Sequence, residues 1–218
     1  NFVAVTSLRA FSRDQEREAD RVGFELLARA GYDPREAARI WTALVEELEQ
    51  GDENPRIPTF LSTHPSIPER IETLDAMAAE HLTDENAGRT GRERYLAAIA
   101  PIRAKLLRDE VRQNRFERSR LVLSRILEAG VARGEIEFYR GELYRLRAER
   151  GDHDHAIEHY RSAIEVGDAP AEVHRSYGLV LRSMGEKSDA AAQFQMYVER
   201  DPDAPDRAMI ESYLAELE

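Results

Sequence analysis

The sequence predicts an all-α chain in two parts, a short set of amphipathic helices followed by an array of helical repeats. Three observations carry this. Apolar residues recur at helical spacing between cap signals over the first eighty residues. The stretch Thr83-Asp-Glu-Asn-Ala-Gly-Arg-Thr-Gly-Arg92 has no apolar period and two glycines, which marks a boundary. From about residue 137 the chain matches itself at a separation of 34. The expected organisation is residues 1–82, a linker at 83–92, and residues 93–218.

Composition narrows the function. The formal charge is −11, from 31 basic and 42 acidic residues, which argues against nucleic-acid binding because phosphate contacts need a concentrated basic surface. Without cysteine there are no disulfides or thiolate metal sites, so a metal must be held by His, Asp or Glu. No apolar run approaches the roughly 20 residues of a membrane span, and no basic-then-apolar leader is present. The chain begins with Asn, not Met, as a processed or truncated product does.

The leading element is a helix from Phe11 to Ala30, with Ser12 and Gln15 as a capping box and Gly31 as its left-handed stop. Ala19, Val22, Gly23, Leu26, Leu27 and Ala30 form its expected buried stripe. Glu16 and Asp20 stand one turn apart on one face, continued by Gly23. Two like charges so stacked repel unless a cation or donor lies between them. Asn1–Ala10 carries no clear signal.

Asp33-Pro34-Arg35-Glu36 starts the next helix, with Asp33 as cap and Pro34 at the first helical position. Ala37, Ile40, Trp41, Leu44, Val45 and Leu48 keep helical period. Residues 51–66 read as a loop ending in Leu61-Ser-Thr-His64-Pro65, where Pro65 holds His64 extended. A third helix opens at Ser66 with Glu69 as its capping-box partner and buries Ile71, Leu74, Met77, Ala78 and Leu82.

In the repeat region Leu143 maps to Tyr177, Tyr144 to Gly178, Gly151 to Gly185, Ala156 to Ala190, Tyr160 to Phe194 and Ala163 to Tyr197. This period and pattern resemble tetratricopeptide repeats, in which small residues let paired helices approach and an aromatic plugs the neighbouring groove. A degenerate earlier copy holds Phe116, Ser119, Leu123 and Ile126. A last helix with Met209, Ile210, Tyr213, Leu214 and Leu217 caps the stack.

The run Phe11-Ser-Arg-Asp-Gln-Glu16-Arg-Glu-Ala19-Asp20-Arg-Val-Gly23, with Ala30-Gly-Tyr-Asp-Pro34 and Ser62-Thr-His64-Pro65, resembles the zinc metallopeptidases of the HtpX and CAAX-protease superfamily. Within it the chain resembles the beta-barrel assembly-enhancing proteases, which join such a peptidase to C-terminal tetratricopeptide repeats. The resemblance implies Zn2+ as cofactor, Glu16 as its carboxylate ligand, Asp20 as the group orienting a ligating histidine, and His64 as a switch ligand. It further implies protein or peptide substrates, periplasmic quality control of envelope proteins, and contact with the outer-membrane assembly machinery. The HExxH helix that supplies the family's two histidines and general base is absent from these residues: no His is followed by Glu. That helix is expected upstream. A non-catalytic tetratricopeptide adaptor is the alternative.

His155-Ala-Ile-Glu158-His159 spells an inverted zinc motif, but the repeat register puts Ala156 and Tyr160 at the packing positions and both histidines on the outer flank. His81, His153 and His174 have no ligand-spaced partner. Arg140, Arg145, Arg147, Arg175 and Arg182 fall on first helices of repeats. Arg145, Arg175 and Arg182 are candidates for binding acidic or C-terminal carboxylate groups of a partner, or they balance the abundant Glu.

Overall fold

A computed structural model describes residues 2–50, 67–83 and 88–217, with side chains from residue 14 onward. The fold is all-α, with ten helices among the described residues: α1 (Phe2–Arg29), α2 (Arg35–Glu49), α3 (Ile67–His81), α4 (Arg92–Val111), α5 (Phe116–Glu128), α6 (Arg133–Arg147), α7 (Asp152–Val166), α8 (Glu172–Met184), α9 (Lys187–Arg200) and α10 (Arg207–Leu217). The chain forms two compact units, residues 1–100 and 101–218.

In the first unit α1 already runs at Phe2, so Ser12 and Gln15 lie inside a helix and do not start one. Its end is as expected. Gly31 takes φ +73°, its N–H reaches Ala28 O and the Tyr32 N–H reaches Leu27 O at 2.9 Å, the paired bonds of a Schellman stop. Asp33 then caps α2: its Oδ1 accepts the Arg35 N–H at 3.0 Å. Glu36 does not return to the cap, because the Asp33 N–H is already taken by the carbonyl of Arg89 at 3.0 Å.

The core of this unit is Phe24, Ala38, Leu74 and Ala78, flanked by Ala37, Trp41, Met77 and Leu82. The buried stripe of α1 is therefore rotated from the expected one. Phe24 faces in, while Val22 and Leu26 stand exposed at 38% and 57%. Glu16, Asp20 and Phe24 are successive i, i+4 positions, so the carboxylates share the helix face that packs on α3.

The segment 88–91, expected within a linker, is fixed to this unit. Arg89 exchanges backbone hydrogen bonds with Gly31 and Asp33, each at 3.0 Å, and its guanidinium lies 4.9 Å from the Tyr32 ring centroid. A Cβ on Gly88 would sit 2.8 Å from the Tyr32 carbonyl carbon. The division between the units falls instead at Ala100 and Pro101, inside α4.

The second unit stacks helix pairs α6/α7 and α8/α9 on α5 and the C-terminal half of α4, and α10 closes the end. Tyr160 and Phe194, 34 apart, are fully buried, as are Leu123, Ile136, Val173 and Ile210. Gly178 meets Phe194, where an added Cβ would come within 2.5 Å of the ring. The matching contact of Tyr160 is with Gly141, one turn before the position that the 34-residue register assigns. Tyr144, thereby released from packing under Tyr160, stacks edge-on against Phe116 at 5.1 Å.

Candidate functional site

The carboxylate pair of α1 meets a cation, and that cation is Arg70 of α3. Arg70 Nε donates to Asp20 Oδ2 at 2.8 Å and Nη2 to Asp20 Oδ1 at 2.6 Å. Its Nη1 lies 2.9 Å from Glu16 Oε2. The guanidinium is also stacked on Trp41 of α2, 4.0 Å from the ring centroid. Side-chain exposures of 9% for Asp20 and 12% for Arg70, against 25% for Glu16, make this a semi-buried cluster with Glu16 at its open edge. A planar fork is what two carboxylates and an aromatic face select, and lysine could not serve all three. The bond to Asp20 raises the Arg70 pKa against the opposing effect of burial, with the charges of Asp20 and Glu16 adding to it.

Arg70 and Trp41 were not singled out from sequence as site residues. The available signal was a cation on an apolar stripe: Arg70 lies four residues before Leu74, which is 1% exposed. His64 lies outside the described residues.

Among the described residues no group of three His, Asp or Glu side chains could hold a metal ion. Glu16 and Asp20 therefore do not make a zinc site with the side chains described around them. Among the described residues they form an anionic pair met by Arg70.

The inverted zinc string is resolved differently from expectation. His159 is not on the outer flank: its Nδ1 lies 2.8 Å from Glu137 Oε2 and its ring stacks on Tyr144 at 5.4 Å. His155 is exposed beside the same tyrosine, 5.0 Å away. Burial pushes the Glu137 carboxyl up, but His159 and Arg140 together hold it below its ordinary value.

Each of the three candidate partner-binding arginines is engaged by a carboxylate of this chain. Arg145 forks onto Glu142 at 2.8 and 2.7 Å. Arg175 donates to Asp206 at 2.7 Å, and Arg182 to Glu216 at 2.6 Å while covering the Tyr213 ring at 4.0 Å. The Tyr197 hydroxyl shares Asp206 at 2.6 Å, and burial together with that bond pushes its pKa up to about 12. Arg145 and Arg175 also line a cavity of about 350 Å³. Arg182 is not part of that lining.

Comparison with known proteins gives two separate matches. Residues 1–78 match the family model of peptidase family M48, and residues 143–205 match a tetratricopeptide-repeat model. The mitochondrial metalloendopeptidase OMA1 of Bos taurus is 40% identical over 74 residues, 34% of this chain and 14% of its own length. The Arabidopsis thaliana OMA1 is 40% identical over 94 residues, 39% of this chain and 18% of its own. The beta-barrel assembly-enhancing protease of Escherichia coli is 40% identical over 60 residues, 28% and 12% respectively. The chain thus spans less than a fifth of the length of these relatives. No helix among the described residues is long and apolar enough to cross a membrane. The chain thus joins a segment that matches peptidase family M48 to a segment that matches tetratricopeptide repeats.

Proposed function

We propose that this chain is part of a zinc-dependent endopeptidase acting in envelope and outer-membrane protein quality control, its repeats docking protein substrates or assembly partners. The observation that carries the reading is the placement of Glu16. It sits at the open edge of the Arg70 cluster, with one oxygen 2.9 Å from Nη1, within a segment matching a metallopeptidase family. In this reading Glu16 is one metal ligand, Asp20 orients the site, and His64 acts as a switch ligand. The two histidines of an HExxH helix are required from outside these 218 residues. The combination of an M48 segment with repeats supports an envelope role, since it is the arrangement of the beta-barrel assembly-enhancing proteases. The periplasm is the proposed location.

The test uses the full-length protein carrying the upstream peptidase segment, with zinc content by elemental analysis and casein cleavage as readouts. Glu16→Ala is expected to lose both zinc and cleavage, and His64→Ala to raise basal cleavage. Zinc retained at the parent level in Glu16→Ala would remove the ligand assignment. Absence of zinc and cleavage in the parent would leave the adaptor reading.

A further inference from the structure

The cavity of the repeat unit has two walls of opposite unbalanced charge. One is the end of α4, where Arg108 in its last turn and Arg112 just beyond it stand four residues apart, both exposed. Neither makes an ion pair among the described residues. Asp109, the acidic residue next to Arg108, is bound by Lys105 at 2.7 Å. The other wall is α8 and the segment after α9, which contribute Glu172 and Asp201. Both are half-buried, and neither carboxylate accepts a hydrogen bond or forms an ion pair among the described residues. The remaining charges of the lining cancel locally, Arg145 by Glu142 and Arg175 by Asp206.

Two cations and two anions therefore face one cavity without contacting each other. Neither pair gains from solvent alone what a bridging group of both signs would provide, because charge-assisted hydrogen bonds strengthen where water is partly excluded. A volume of about 350 Å³ falls in the range of small-ligand sites and suits the last residue or two of a peptide. Phe138 and Leu146 supply apolar surface for an aliphatic stem.

We propose that this cavity binds the C-terminal end of a peptide whose last residue is basic. The terminal carboxylate is held by Arg108 and Arg112, and the basic side chain by Glu172 and Asp201. This deepens the reading that the repeats dock protein and names the chemistry they select. Neither metal nor proteolysis is involved, so its failure and the failure of the peptidase reading are separable.

The test is fluorescence anisotropy with an N-terminally fluorescein-labelled tetrapeptide ending in lysine with a free carboxylate, titrated with the 218-residue chain. The same peptide as its C-terminal amide, and one ending in glutamate, are expected to bind about tenfold more weakly, the scale of losing one charge-assisted contact. R108E/R112E should lose the carboxylate form, with an unchanged helical circular dichroism spectrum because both residues are exposed. E172Q/D201N should keep carboxylate binding but lose the preference for lysine over alanine. Equal binding of acid and amide by the unaltered chain, or none of either, overturns the proposal without reference to any variant.

Discussion

Arg70 and Asp20, fifty residues apart in sequence, form a two-pronged ion pair with N–O distances of 2.8 and 2.6 Å at a site where neither side chain is more than 12% exposed. The pair ties α1 to α3 from the side of the apolar core that Phe24 and Leu74 fill. Like-charge repulsion between Glu16 and Asp20 is thereby converted into a cross-helix link.

Arg70→Ala is expected to destabilise the first unit by about 3 kcal/mol, because it leaves the Asp20 carboxylate buried without its counter-charge. Arg70→Lys should recover only part of this loss, since an ammonium cannot fork onto Asp20, reach Glu16 and stack on Trp41 together. Urea unfolding followed by Trp41 fluorescence measures both. A double variant Asp20→Leu with Arg70→Met, which removes both charges, should be more stable than either single loss of charge. If it is less stable than Arg70→Ala alone, the penalty is not that of an orphaned carboxylate.

How much of this was legible in the sequence depends on the range of the interaction. The Gly31 stop was readable because a Schellman motif is closed by residues five apart, Tyr32 and Leu27. The Tyr160 and Phe194 repeat was readable because its 34-residue period is written twice in the chain. Arg70 was not, because nothing local to it announces a partner fifty residues earlier. The buried face of α1 depends on the same long-range packing: Phe24, one turn on from Asp20, enters the core with Leu74 and Ala78, while Val22 and Leu26 stay exposed. Gly141 was missed for a related reason. The register placed Tyr144 against Gly178, whereas the ring of Tyr160 settles one turn earlier and frees Tyr144 to meet Phe116 and the two histidines. In the same way residues 88–91 read as linker, since the ladder of Arg89 with Gly31 and Asp33 and the fit of Gly88 against Tyr32 are long-range.

Gly178→Ala tests the packing at the best-formed repeat. The added methyl lands on the Phe194 ring within an unexposed core, and the helix backbone cannot retreat without parting α8 from α9. A loss of about 1 to 3 kcal/mol is expected, the usual scale of overpacking. Helical propensity runs the other way, alanine being favoured over glycine by up to about 1 kcal/mol, so a net loss reports the clash. Combining Gly178→Ala with Phe194→Leu should recover stability relative to Gly178→Ala alone, as read by thermal melting. No recovery would mean that the small residue serves some purpose other than admitting the ring.

His174 gives the repeat unit an acid sensitivity whose sign follows from its surroundings. It is 2% exposed, its Nδ1 lies 2.8 Å from Gln193 Oε1, and its Nε2 is buried without a hydrogen-bond partner among the described residues. Burial lowers its pKa below the ordinary 6.5; the bond to Gln193 opposes this and the positive charge of Arg200 adds to it. The unfolded chain therefore binds the proton first. Below about pH 6.5 it takes up a proton that the folded state refuses, and by linkage the folded state loses stability as pH falls from there toward the depressed folded value. Above 6.5 the contribution is constant. The urea midpoint of the repeat unit should drop between pH 7.5 and 5.5, a window above the ordinary carboxylate range. His174→Asn should reduce that drop while lowering the midpoint at pH 7.5 through lost packing. An equal drop in both proteins would assign the acid sensitivity to other groups.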